Sequence, residues 1–195
     1  DKIGFGVTLN NFLIDIAIEK KMDALIVHHG FFGKAFLSIQ NRNKQMIEKL
    51  IKNDISLFGI HLPMDAHPEI GHNALLMNAI DASVEMEFEY GFIGKNTSKL
   101  RLDEMMNRLS VFLDMKDEVA FQFESPFNIH MDKGFIKVLN GPETPTRIAM
   151  ISGGAARAFE KAIDFGVDTF FCGEIKEDIP SLAYDRGCNF INLTH

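Results

Sequence analysis

The chain has 195 residues, and 46% of them are hydrophobic, which is enough to form one substantial domain or two small ones. Asp and Glu outnumber Lys and Arg by 27 to 20, so the formal net charge is −7. Because an acidic chain offers no broad basic face to a phosphate backbone, nucleic acid is not an expected partner.

Short apolar segments alternate with segments of helical period, which is typical of βαβ units. Asn10 and Asn11 precede the first helical segment and are suited to cap it. The next apolar run, DALIV, has the composition of a strand that is buried on both faces of a parallel sheet. We predict an α/β fold around a mixed, largely parallel sheet. Its six clearest strands are predicted at residues 3–9, 23–27, 55–60, 147–152, 168–172 and 188–193.

The middle of the chain has a less regular pattern. EMEFEY, EVAFQFE and GFIKVL alternate as antiparallel strands do, and LRLDEMMNRLSVFL has a helical period. The stretch NGPETPTR marks a boundary, since its two prolines disfavour both helix and central strand. We predict an N-terminal α/β part over 1–90, a middle subdomain over 91–145 and a C-terminal α/β part over 146–195, intertwined as one unit.

Further patterns bear on the cellular location. Apolar runs end well before the roughly 18 residues that a bilayer span needs, so we expect no membrane segment. Cys172 and Cys188 cannot form a disulfide framework, and both lie in or beside strand-like runs where buried, reduced thiols are usual. No signal-like segment opens the sequence, which favours the cytoplasm. Asp1 enters a strand directly and His195 directly follows one, so we expect truncation at both ends.

Histidines follow three of the predicted strands. His28 and His29 come after DALIV, His61 comes after ISLFGI, and His195 comes after CNFINL. Ligands bind beyond the carboxyl ends of strands in open α/β sheets, and side chains from separate strands meet there. A lone histidine is more often structural, but two adjacent imidazoles contribute little to packing. With the carboxylate of Asp65 four residues after His61, the pattern favours a metal site.

Other candidates have equally good structural explanations. Gly153 and Gly154 lie between a strand and a helix, where backbone N–H groups could bind an anion or the chain could simply turn. Glu174 follows a strand and could orient an imidazole or face solvent. For His67 and His72, at either side of a loop, solvated or helix-capping roles are favoured.

Three blocks of the sequence carry a family resemblance, supported by the double His and the His-x-x-x-Asp spacing. In chain order they resemble those of the NIF-three-like dinuclear-metal family, in its short bacterial form; bacterial members are named GTP cyclohydrolase type-two homologues. The blocks are DALIVHHGFFG, NDISLFGIHLPMDAHPEIGHN and SGGAARAFEKAIDFGVDTFFCGEIKEDIPSLAYDRGCNFINLTH.

The resemblance implies a NIF-three-like fold with two divalent metal ions in each subunit. It implies that His28, His29, Asp65 and His195 are ligands, with Asp65 bridging, and it places His61 near the cluster. The family pattern adds a ligating Glu four residues beyond His195, where this sequence has ended. Imidazole and carboxylate donors together suit Zn, Fe, Mn or Ni.

The resemblance also implies an activity and an assembly. The activity is metal-dependent hydrolysis, in which metal-bound hydroxide adds to the purine ring of GTP. The assembly is a homohexamer whose metal sites face an internal cavity. No motif in the sequence recognises guanine, and a non-catalytic metal-binding regulatory or scaffold protein is the alternative. Turnover that depends on His29 would distinguish the two.

Overall fold

The structure, a computed structural model, describes residues 1–31, 38–115, 121–122 and 125–194. It divides into an N-terminal unit, Asp1–Met64, and a C-terminal unit, Asp65–His195. The division predicted from sequence at residues 90 and 145 stays a prediction, and the two units are described separately. Among the described residues, every helix is too short or too polar to cross a bilayer.

The N-terminal unit is built on a three-stranded parallel sheet in the order β1-β2-β3. Asn10 accepts a hydrogen bond of 2.8 Å from the backbone N–H of Leu13, which confirms the predicted cap of the first helix. The elements are β1 (Ile3–Thr8), α1 (Asn11–Glu19), β2 (Ala24–His29), α2 (Asn41–Lys52), β3 (Ser56–Gly59) and the start of α3 (Leu62–Ala66).

The core of this unit lies on one face of the sheet. Side chains alternate across a strand, so Leu25 and Val27 of β2 point to the same face, where both are buried. Both helices α1 and α2 contribute apolar side chains to that face. The other buried members of this core are Leu9, Ile14, Ala17, Met46, Leu50 and Ile55.

The C-terminal unit contains an eight-stranded mixed sheet in the order β4-β5-β9-β10-β11-β8-β7-β6. Strands β9, β10 and β11 are parallel, and every other neighbouring pair is antiparallel. The elements are α4 (His72–Ala79), β4 (Ser83–Phe88), β5 (Gly91–Lys95), α5 (Leu102–Phe112), β6 (Phe121–Gln122), β7 (Ile129–Asp132), β8 (Phe135–Leu139), β9 (Arg147–Ile151), a 3-10 turn (Ala156–Ala158), α6 (Phe159–Asp164), β10 (Thr169–Cys172), α7 (Ile179–Arg186) and β11 (Asn189–Asn192).

The predicted α/β class is confirmed, and all six predicted strands are present with ends that differ by at most two residues. The structure differs in having two sheets, of which only the smaller is entirely parallel. The reason lies in short hairpins, since a two-residue connection returns the chain antiparallel. Lys133 and Gly134 form one such turn between β7 and β8, and both have positive φ, as a type I′ turn requires.

Both faces of the large sheet are covered, which explains its short, apolar central strands. In β10, Phe171 packs in the core formed with α4 and α5, while Phe170 and Cys172 pack in the opposite core formed with α6 and α7. All four residues of β10 are buried. The C-terminal unit therefore holds two hydrophobic cores, one on each side of its sheet.

A buried amide joins three elements of this unit. Asn73 is 0% exposed in α4, and its Nδ2 donates to the backbone carbonyls of Asp65 at 3.1 Å and Tyr90 at 2.8 Å. Its Oδ1 accepts from the backbone N–H of Ser152 at 2.6 Å. One side chain thus connects α3, the β4–β5 turn and the residue after β9, and it fixes the backbone that carries Asp65.

We expect Asn73→Ala to destabilise the protein by about 3 kcal/mol, because it leaves backbone groups of three segments without their partner. Chemical denaturation of both proteins would measure this loss. Asn78→Ala is the matched control, since Asn78 is exposed on the same helix. An equal free energy of unfolding for the two variants would contradict the structural role of the Asn73 amide.

The two cysteines are buried and free, as predicted from their sequence positions. Burial raises the pKa of the Cys172 thiol and also that of Cys188. Both thiols are therefore protonated near neutral pH, and they act as small apolar core residues rather than as nucleophiles.

We expect iodoacetamide to modify both thiols of the folded protein at pH 8 on the order of tenfold or more slowly than those of the protein in guanidinium, because protonation and burial both oppose attack. Mass spectrometry of timed samples would give the two rates. Labelling of the folded protein at the unfolded rate would show that Cys172 or Cys188 is accessible as thiolate.

Candidate metal-binding site

Three histidines of the N-terminal unit form a compact group, called here the histidine cluster: His28, His29 and His61. Their ring centroids are 4.5, 4.8 and 5.2 Å apart, and all three residues are half-buried. One nitrogen of each lies within 4.8 Å of the others. Nitrogen ligands of one ion at 2.0–2.1 Å would be roughly 3–4 Å apart, so these histidines form a candidate metal-binding group.

The sheet explains why these histidines meet. His28 and His29 end β2, and His61 lies two residues after the end of β3, the parallel neighbour of β2. A Cβ on Gly30 would lie 3.1 Å from the Cα of Gly59, and one on Gly59 would lie 3.3 Å from the Cα of Gly30. Two glycines therefore let the strand ends approach closely, which brings His61 to the adjacent pair.

Hydrogen bonds orient two of the rings. His28 Nδ1 lies 3.0 Å from the carbonyl oxygen of Ile60, which can only accept, so Nδ1 carries the proton in this bond. In the neutral ring the lone pair then belongs to Nε2, the state that a metal ligand needs. His29 Nδ1 lies 2.9 Å from the hydroxyl of Thr8, which can donate or accept.

In the C-terminal unit, Asp65 is the centre of what we call the Asp65 network: Asp65, His72 and Ser152. Asp65 is 7% exposed, and its Oδ1 accepts from Ser152 Oγ at 2.8 Å and from His72 Nδ1 at 3.0 Å. The second loop histidine behaves differently, since His67 Nδ1 accepts from backbone N–H groups of its own loop. His67 thus matches the predicted local role, whereas the His72 ring contacts the predicted ligand.

The glycine turn after β9 packs against the loop after β10. Gly153 has φ +70°, and its carbonyl accepts from the N–H groups of Gly173 at 2.9 Å and Ala155 at 3.0 Å. A Cβ on Gly154 would lie 2.9 Å from Glu174 Oε2, so that carboxylate lies against the turn. An anionic ligand at Gly153 and Gly154 would meet this negative charge. Their anion-binding role, and a role for Glu174 beside a metal, stay predictions.

The structure thus brings His28, His29 and His61 together in one unit and surrounds Asp65 with donors in the other. His195, the remaining predicted ligand, lies outside the described residues. Sequence reasoning did not find Ser152 or the contact of His72 with Asp65. The position of Ser152 at the end of a predicted strand was the available signal, since the predicted histidine ligands also lie beyond strand ends.

The sequence matches known proteins along its whole length. The family model Duf34/NIF3 (NGG1p interacting factor 3) matches residues 1–195. GTP cyclohydrolase 1 type 2 homolog from Neisseria meningitidis serogroup B is 36% identical over 197 residues, which cover 100% of this chain and 72% of that protein. The protein of the same name from Escherichia coli K12 is 33% identical over 196 residues, with the same two coverages.

Solved structures agree with these sequence matches. A structure described as protein ybgI, unknown function, has a TM-score of 0.78 and 33% identity, and the match covers 100% of this chain and 72% of that one. A protein from Thermus thermophilus has a TM-score of 0.75 with the same coverages, and at 24% identity it supports the fold alone. The predicted family and its fold are confirmed. This chain belongs to the Duf34/NIF3 (NGG1p interacting factor 3) family.

Proposed function

We propose that this protein binds divalent metal ions through its histidine cluster and Asp65, and that it is a metal-dependent hydrolase acting on a nucleotide. The convergence of His28, His29 and His61 at one sheet edge supports the proposal most directly. The relatives named GTP cyclohydrolase 1 type 2 homolog support a nucleotide as the substrate class.

The residues of the histidine cluster fit a transition-metal ion. Imidazole nitrogens together with the carboxylate of Asp65 suit Zn, Fe, Mn or Ni, whereas Ca and Mg prefer oxygen ligands. The bond of His28 to the Ile60 carbonyl leaves Nε2 as the donor atom, and the Thr8 hydroxyl orients the His29 ring through a hydrogen bond with Nδ1. We include His61 as a ligand because its ring belongs to the same group.

The family resemblance extends this ligand set. It adds Asp65, and His195 beyond the described residues, and with them the proposal of two ions per subunit. Asp65 brings a negative charge that the three imidazoles do not supply, and its position in the C-terminal unit is fixed by Asn73 and Ser152. A mixed donor set of this kind balances part of the charge of two divalent ions.

The proposed chemistry is hydrolysis. Divalent ions in such a site lower the pKa of water and stabilise negative charge that develops on a substrate. The residues of this chain orient the ligands: the Ile60 carbonyl and the Thr8 hydroxyl hold the rings of His28 and His29, and Ser152 and His72 hold Oδ1 of Asp65. Ligands held in this way need little rearrangement when they bind.

Metal content tests the binding part of the proposal. We expect His28→Ala, His29→Ala and His61→Ala each to weaken the affinity for Zn or Mn by roughly tenfold or more, because each removes one donor. Titration against a chelator of known affinity, followed by elemental analysis, would measure the binding. Circular dichroism would confirm that the variants are folded.

The matched control is His67→Ala. The His67 ring accepts hydrogen bonds only from N–H groups of its own loop among the described contacts, so its loss should leave metal binding unchanged. Wild-type affinity and stoichiometry in all three cluster variants would overturn the proposed metal site.

Turnover tests the catalytic part. The protein loaded with Zn, Fe, Mn or Ni would be incubated with GTP, other nucleotides, phosphoesters and cyclic amides, and the products would be separated by chromatography. We expect hydrolysis of a nucleotide that His29→Ala abolishes and His67→Ala retains. Absence of turnover with every metal, in a protein that binds the metals, would contradict the hydrolase and leave a metal-binding protein.

A further inference from the structure

The carboxylate of Asp65 is held by donors from two separate elements of the C-terminal unit. Ser152, directly after β9, donates its hydroxyl to Oδ1 at 2.8 Å. His72, the first residue of α4, donates from Nδ1 to the same oxygen at 3.0 Å. The Asp65 side chain is 10% exposed and lies on the five-residue helix α3. A buried carboxylate without hydrogen bonds is costly, so these donors determine how it is held.

We infer that Ser152 and His72 are positioning residues that orient Asp65 as a metal ligand. The inference rests on the proposed metal-binding function and adds to it two residues that act on the ligand rather than on the ion. Rotation about the Cβ–Cγ bond of an aspartate is soft, so a carboxylate on a short helix would sample several orientations. Two donors on one oxygen restrict that rotation.

The anchoring of the donors strengthens this inference. The backbone N–H of Ser152 is bound by Asn73 Oδ1, and Asn73 Nδ2 also holds the backbone carbonyl of Asp65. The same buried amide therefore sets the relative position of donor and acceptor, and His72 is its neighbour on the chain. The carboxylate, its backbone and the hydroxyl that orients it form one connected hydrogen-bond network.

The exposure of His72 favours a role in orienting Asp65 over a role in core packing. The His72 side chain is 41% exposed, so it contributes less to the core than a buried ring would. Its contact with Asp65 is a directed hydrogen bond between an imidazole and a carboxylate that can only accept. Hydrogen bonds to metal-binding groups typically change metal affinity by 10–100-fold when they are lost.

The test uses Co²⁺ as the probe in the protein of 195 residues. Ser152→Ala removes the hydroxyl and Ser152→Thr keeps it; His72→Phe removes the donor with a ring of similar size and His72→Gln restores an N–H. We expect Ser152→Ala and His72→Phe each to weaken Co²⁺ binding by about 10–100-fold and to shift its visible absorption bands. Ser152→Thr and His72→Gln should recover affinity and spectrum.

Two controls keep the result interpretable. His67→Phe disturbs the same loop without a described contact to Asp65, and it should bind Co²⁺ as the wild type does. Circular dichroism would establish folding; if Ser152→Ala does not fold, His72→Phe carries the test because His72 is half-exposed.

The outcomes separate this inference from the proposal on which it rests. If Asp65→Ala loses Co²⁺ while Ser152→Ala and His72→Phe keep wild-type affinity and spectrum, the positioning role is wrong and the metal site stands. If Asp65→Ala keeps wild-type affinity and spectrum, Asp65 is not a ligand and the inference is overturned with that assignment. If His28→Ala and His29→Ala also keep them, the proposed metal site fails as well.

Discussion

Parallel pairing of β2 with β3 is the constraint on which the arrangement of the N-terminal unit depends. Parallel strands end at the same edge of a sheet, so residues that follow them meet there without a special loop. His28 and His29 end one strand, and His61 follows the other. The helices that connect the strands bury their apolar faces on one side of the sheet and keep this register in place. Burial of the apolar side chains therefore also stabilises the sheet edge at which the three histidines meet.

In the C-terminal unit, hydrogen bonds hold the backbone of Asp65 and Ser152 in place. Its sheet is covered on both faces, and the polar residue Asn73 is completely buried among its elements. Buried amides are stable when their groups are paired, and all three described bonds of Asn73 go to backbone groups of other segments. These segments include the backbone of Asp65 and Ser152. Core packing and the hydrogen bonds of Asn73 thus both stabilise the segment that carries the Asp65 carboxylate.

Alternation of apolar runs with helical periods was enough to predict the α/β class and six strands, because those strands are short and buried. Strand β5 was missed, since Gly91 and Gly94 are weak strand formers. A Cβ on Gly91 would lie 2.1 Å from the Met150 carbonyl oxygen, so the close approach of β5 to β9 explains why position 91 is a glycine. The meeting of His28, His29 and His61 was predictable from their sequence positions after strands. The contact of Ser152 with Asp65 was not, because it joins residues 87 positions apart.

The approach of Gly30 to Gly59 has a consequence for the choice of ion. Two backbones that already meet without side chains between them have little freedom to move closer, and their spacing is set by the sheet. In the proposed metal site, ions of different radius would then be accommodated by torsion of the imidazole side chains. The ability to accept Mn, Fe, Ni or Zn would depend on the rotamer energies of the histidine side chains, while the strands keep a constant separation. The proposed site would therefore discriminate between ions by ligand chemistry more than by ionic radius.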